Sequence, residues 1–162
     1  MNVEMKPEIK EVLKKIKFID RYKKLSGNFS SNLNDLNDRL EDYDMEKVNE
    51  IFIRLGYVAT FDKKEKFFKV GVLDYSPNYM VWFHIILEHG MTVFVWVVYH
   101  NNEVRLGSPW SVYSRLLMNA SERIKTPVYR NYMELEEILK EAFLMYDDFK
   151  SEISNVYSKT HN

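Results

Sequence analysis

The stretch that decides the fold is residues 79–100, YMVWFHIILEHGMTVFVWVVYH. It consists of two apolar runs, residues 79–88 and 91–100, separated by the turn signal His89-Gly90. Runs that are rich in β-branched and aromatic residues favour strands. Because the connection between them has only two residues, the two strands are expected to be antiparallel neighbours.

Both faces of the first of these strands are apolar. Alternation places Tyr79, Val81, Phe83, Ile85 and Leu87 on one face and Met80, Trp82, His84 and Ile86 on the other. Continuous apolarity is typical of strands that are buried on both sides, so we expect the two strands to be central and covered by helices. Replacing Val95 with Asp is then expected to prevent folding, because an unpaired carboxylate would enter the core.

The flanking sequence extends this pair into a larger sheet. Towards the N-terminus, residues 57–61 and 66–73 alternate around the charged turn 62–65, which predicts a hairpin. Towards the C-terminus, Asn101-Asn102 forms the next turn before a short strand at 103–106. The sequence therefore predicts an antiparallel meander of four to five strands within residues 57–106.

Helices are predicted on both sides of the meander. Pro7 fits a first helical position, and apolar spacing continues the first helix to Lys24. Residues 32–55 form one helix or two, with Asp44 able to cap the second and Gly56 suited to its end. Ser108-Pro109 is expected to open a short helix as N-cap and first-turn proline.

The last helix is predicted at residues 132–155, where Asn131 and Glu134 have capping-box spacing. Helices, then a meander, then helices give the fold class α+β, with N-terminal helices and a C-terminal helix packed on the sheet. The length of 162 residues suits one domain spanning residues 1–162. No apolar run is long enough to cross a membrane and the first residues do not resemble a secretory signal, so we expect a cytoplasmic protein.

The motifs of common active sites are missing from the sequence. The absence of cysteine excludes disulfides, thiolate zinc sites and a cysteine nucleophile. His84, Glu88 and His89 miss the spacing of the helical zinc motifs, and on a strand the two histidines would face opposite ways. Neither a serine nucleophile elbow nor a glycine-rich phosphate loop is present. We therefore expect a protein that is not an enzyme and that needs no cofactor and no metal.

Charge is distributed unevenly along the chain, although the net charge is only −1. The first helix is rich in lysine, but its lysines surround the polar surface and alternate with acidic residues, which argues against nucleic acid as partner. Residues 34–44 carry five carboxylates and one tyrosine. The candidate partner-binding residues of this acidic segment are Asp35, Asp38, Glu41, Asp42, Tyr43 and Asp44. Such a segment suits a basic protein partner, and an ordinary solvated helix surface is the other interpretation.

The chain resembles bacterial immunity proteins, the antitoxins of contact-dependent and other polymorphic toxin systems. The resemblance rests on a small cysteine-free domain rich in Lys, Asn and Tyr, on the order of its elements, and on the run Gly107–Ser111 before a helix. It implies a non-enzymatic cytoplasmic protein that binds and neutralises a cognate toxin domain, for example a nuclease. An adaptor or structural protein with another protein partner is the alternative, followed by a nucleic-acid-binding protein or an enzyme.

Overall fold

The computed structural model describes residues 5–30, 39–71, 78–118 and 123–158. The described residues form helices and strands with the following bounds: α1 Pro7–Lys15, α2 Phe18–Asn28, α3 Met45–Arg54, β1 Ala59–Asp62, β2 Phe67–Val70, β3 Tyr79–Glu88, β4 Met91–His100, β5 Glu103–Pro109, α4 Trp110–Met118 and α5 Tyr132–Ser158. The fold is α+β, as the sequence predicted. Among these described helices, none is long and apolar enough to cross a membrane.

The sheet is an antiparallel meander in the order β1-β2-β3-β4-β5. The bounds of β3 and β4 match the sequence prediction, and their register runs from Tyr79 opposite His100 to Glu88 opposite Met91. The predicted N-terminal hairpin is also present, with Asp62 opposite Phe67 at its closed end. A register shift between Val98 and Tyr99 loosens the pairing of β4 with the edge strand β5.

The core lies on one face of the sheet. This core face carries the buried residues Phe68, Val70, Val81, Phe83, Ile85, Leu87, Phe94, Trp96, Val98 and Leu106. Rings from four helices contact it: Phe18 of α2 and Phe149 of α5 on Trp96, Phe52 of α3 on Phe68, and Trp110 of α4 on Phe94. Helix α1 contacts α2 and α5. The helices thus form one layer against one side of the sheet.

The expectation that helices cover both faces of β3 and β4 is therefore wrong. Residues of the opposite parity, Val95 among them, are half-buried and do not belong to the core cluster. Val95 lies beside His84 of β3 on this second face. A carboxylate at position 95 would not enter the core, and the expected loss of folding on replacing Val95 with Asp is withdrawn.

The N-terminal helix predicted at residues 7–24 is two helices. Lys17 takes a left-handed conformation with φ of 58°, which ends α1 and restarts the chain as α2. The break changes which residues face inward: α1 buries Ile9, Val12 and Leu13, whereas α2 buries Phe18, Tyr22, Leu25 and Ser26. Phe18 thereby reaches the aromatic core, and α2 continues through Gly27 to Asn28 rather than ending at Lys24.

Three of the predicted helix starts, at Pro7 and after Asp44 and Asn131, are confirmed and one is displaced. The Asp44 carboxylate accepts from the Glu46 amide, and the Asn131 side chain accepts from the Glu134 amide. Residues 39–44 are not helical, so α3 begins only at Met45, and residues 31–38 lie outside the described part of the chain. Ser108 is not an N-cap, because Ser108-Pro109 belongs to β5 and α4 begins at Trp110.

Buried tyrosine hydroxyls attach two helices to the sheet. The Tyr113 hydroxyl accepts from the Ser108 amide at 2.9 Å and donates to the Trp96 carbonyl at 2.6 Å, so it bridges β5 and β4. On α5, the Tyr146 hydroxyl donates to the Val81 carbonyl at 2.7 Å. Gly71 makes room for that contact, because a Cβ there would lie 2.6 Å from the Tyr146 oxygen. These bonds hold the helical layer on the core face.

Candidate functional site

Within the described residues, the helical layer leaves the second face of the sheet uncovered. We call it the open face, and its half-buried residues are Phe67, Lys69, Met80, Trp82, His84, Ile86, Val93, Val95, Val97 and Tyr99. None of these side chains packs against the core cluster. Val104 of β5, opposite Tyr99, extends the face at its edge with 58% of its surface exposed. Contiguous apolar surface of this kind marks interaction sites in monomeric proteins.

Aromatic rings run diagonally across the open face from β2 to β4. The Phe67 ring lies 4.5 Å from that of His84, which lies 6.2 Å from Trp82, which in turn lies 6.2 Å from Tyr99. Along β4 the face carries valines at 93, 95 and 97. The valines form a flat apolar surface beside the row of aromatic rings. Strand pairing fixes the backbone that carries both sets of side chains.

Two polar atoms of the open face lack a partner in the described part of the chain. They are Nε1 of Trp82 and Nε2 of His84, both shielded from solvent. Indole N–H can only donate, and one imidazole nitrogen donates in the neutral ring. Shielded polar atoms without a partner are uncommon, since each costs about 1–3 kcal/mol.

One cation lies on the face, and it alters the histidine. The Lys69 ammonium lies 3.3 Å from the centroid of the Trp82 ring, a cation–π contact. Burial, and secondarily the charge of Lys69, lower the pKa of His84 to about 4, while Asp62 acts weakly in the opposite direction. The His84 ring is therefore neutral at pH 7 and behaves as part of the apolar surface.

The acidic segment predicted as a binding surface is only partly described. Asp35 and Asp38 lie outside the described residues. Glu41 is exposed and its carboxylate lies 3.0 Å from Nδ1 of His89, a contact that raises the pKa of that histidine. Asp42 is exposed.

The other two residues of this segment have structural contacts. Tyr43 is half-buried with its ring 6.0 Å from that of Phe68, and Asp44 caps α3. In the described part of the segment, Glu41 and Asp42 are exposed and take no part in the core or in a helix cap, so these two residues are the best placed to meet a partner.

The histidine cluster considered for metal binding is dispersed. His84 lies on the open face, whereas His89 lies in the turn between β3 and β4 with φ of 52°. The prediction that His89 is a turn residue is confirmed, and Nε2 of His84 has no hydrogen-bond partner among the described residues. The described residues contain no group of three or more His, Asp or Glu side chains that could hold a metal ion.

Alternation in the sequence placed the four open-face residues of β3 on one face, but that face was expected to be covered. The missed signal was Lys69, which the register places directly opposite His84. Comparison of the chain with protein families, with curated proteins and with solved structures found no match. The open face and the charges around it are therefore the features from which a function is inferred.

Proposed function

We propose that this protein is a non-enzymatic binding protein whose open face docks onto a second protein, and that this partner is a toxin domain that it neutralises in the cytoplasm. The observation that carries the proposal is the apolar and aromatic open face, with two shielded polar atoms unpaired in the described structure. The residues on the solvent-facing side of an antiparallel sheet are ordinarily polar. Here the surface resembles one half of an interface.

The extent of the face supports a protein as partner. Strands β3 and β4 each have ten residues. With a rise of about 3.4 Å per residue and strands about 4.8 Å apart, the five strands present roughly 600 Å² in projection. Side-chain relief increases this value towards the ~800 Å² that each partner contributes to a standard interface. A small ligand on so flat a surface would leave most of it exposed.

The residues of the open face indicate which chemical groups the partner should present. Valines 93, 95 and 97 and the ring of Trp82 call for apolar side chains on the partner. Aromatic residues of this kind supply much of the binding energy at the centres of interfaces. Glu41 and Asp42 add negative charge near the β3–β4 turn, which suits a partner with a basic surface. Together with the resemblance to immunity proteins, these features favour inhibition of a toxin over a structural role.

The test begins with capture of the partner from the native host, followed by its recombinant production. Growth of cells that express the partner is then measured with and without this protein. We expect the partner to arrest growth and the wild-type protein to restore it. Val97→Lys should abolish rescue, because it places a charge in the centre of the interface.

The matched control is Ile53→Lys on α3. Ile53 is apolar and 71% exposed on the helical side of the molecule, so this variant should rescue like the wild type. A captured partner that does not affect growth would refute the toxin and favour an adaptor. Equal rescue by Val97→Lys and Ile53→Lys would refute the open face as the docking surface.

A further inference from the structure

A cleft of about 460 Å³ lies between α4, the first residue of β4 and the segment that precedes α5. Its described lining residues are Arg39, Met91, Ser111, Ser114, Arg115, Arg123, Ile124, Lys125, Thr126 and Val128. The volume falls within the range of about 300–1,000 Å³ that is usual for small-molecule sites. Neither the sequence motifs nor the open face accounts for this cleft.

The lining is strongly cationic. It includes three arginines and one lysine, and none of its described residues is acidic. Arg115 and Arg123 are exposed and form no ion pair with any described residue. Nε of Arg39 is shielded from solvent and lacks a hydrogen-bond acceptor within the described structure. Like charges gathered around one cavity repel each other, and an anion in the cavity would reverse that cost.

The remaining lining groups complete a site for an organic anion. Ser111 and Thr126 bring hydroxyl groups, which donate to or accept from phosphate oxygens. Met91, Ile124 and Val128 form an apolar wall. A cavity with several guanidinium groups and one apolar wall matches a ligand with a multiply charged end and a flat or apolar end.

We propose that this cleft binds a small organic polyphosphate of the size of a nucleoside diphosphate. Guanidinium groups bind phosphate through two parallel N–H···O bonds, which makes arginine better suited than lysine to this ligand. The cations converge on one cavity instead of following a line along the surface. This arrangement fits a compact anion better than the extended backbone of a nucleic acid.

The test measures binding by isothermal titration calorimetry at fixed ionic strength, with ADP, pyrophosphate, sulfate and a single-stranded oligonucleotide as probes. We expect ADP to bind more tightly than pyrophosphate, because only ADP reaches the apolar wall, and sulfate to bind weakest. Arg115→Gln and Arg123→Gln should each weaken ADP binding about tenfold, the effect of losing one charged hydrogen-bonding partner. Arg115→Lys should fall between wild type and Arg115→Gln.

The matched control is the double variant Lys10→Gln/Lys63→Gln, which removes two exposed positive charges from outside the cleft. It should bind ADP like the wild type, and unfolding curves should show that every variant is folded. ADP binding no tighter than sulfate would overturn the proposal, and so would equal weakening by the control and by the arginine variants. Preference for the oligonucleotide over ADP would also overturn it and assign the cleft to nucleic acid.

Discussion

Two adjacent residues of β4 test which face of the sheet is buried. Phe94 points into the core and is 2% exposed, whereas Val95 lies half-buried on the open face. We expect Phe94→Asp to prevent folding and Val95→Asp to yield a folded protein of reduced stability. The two variants introduce the same carboxylate one residue apart, so differences in β propensity and in net charge largely cancel.

The magnitudes follow from burial. Removing a buried phenylalanine costs about 3–5 kcal/mol, and an unpaired carboxylate in the core adds several more. This sum approaches or exceeds the ~5–15 kcal/mol by which a domain of ordinary stability is folded. Val95→Asp removes about half of the hydrophobic burial of a valine, which lowers the unfolding free energy by roughly 1 kcal/mol. The lower β propensity of Asp lowers it by up to about 1 kcal/mol more. Its carboxylate can still reach water.

Urea unfolding followed by circular dichroism distinguishes these outcomes. We expect Val95→Asp to unfold cooperatively with an unfolding free energy about 2 kcal/mol below that of the wild type. Phe94→Asp should either be insoluble or give a circular dichroism signal without a folded baseline. If Val95→Asp also fails to fold, the second face is buried and both the open face and the proposed docking mode are wrong.

Three further predictions use other parts of the molecule. Tyr113→Phe should lower the unfolding free energy by about 1–3 kcal/mol in urea titrations, because it leaves a buried carbonyl and amide of the sheet unpaired. NMR titration should give His84 a pKa of about 4 rather than 6.5. Since the unfolded histidine gains its proton at higher pH than the folded one, stability should decrease as pH falls from about 6.5 to 4. The screened loss is on the order of 1 kcal/mol, and His84→Phe should remove it. Changing Asp38, Glu41 and Asp42 to Asn, Gln and Asn should slow association with a basic partner at low salt and have little effect at high salt, as measured by stopped flow. Unchanged rates at both salt concentrations would leave the segment as a solvated surface.

Local signals predicted most of the architecture. The turn at His89-Gly90 fixed the ends of both long strands, and the spacing of Asn131 and Glu134 located the start of α5. These features depend on neighbours in sequence, which is why periodicity and capping could identify them. The break at Lys17 could not be found in this way, because continuous apolar spacing is equally compatible with one straight helix. Only the aromatic core, which Phe18 enters, distinguishes the two.

The cleft was beyond the reach of sequence patterns for a similar reason. Its arginines come from positions 39, 115 and 123, which belong to separate segments of the chain. No spacing rule relates residues that meet only after folding. The acidic segment, in contrast, was conspicuous in sequence because its five carboxylates lie within eleven residues, yet Tyr43 and Asp44 have structural contacts. In this protein, the number of charged residues in a stretch of sequence is therefore a poor guide to where charges meet in the folded structure.

The most consequential wrong prediction was that helices cover the open face. Knowledge of the register between β2 and β3 would have prevented it. Lys69 alternates with the buried Phe68 and Val70, and it pairs with His84. A lysine is almost never buried without a partner charge, so whatever face carries Lys69 must remain accessible to water. Residues 71–78 connect β2 to β3, and a connection of that length does not set register as a tight turn does. With the register known, the apolar residues beside Lys69 become a surface that water reaches in the free protein and that a partner can cover.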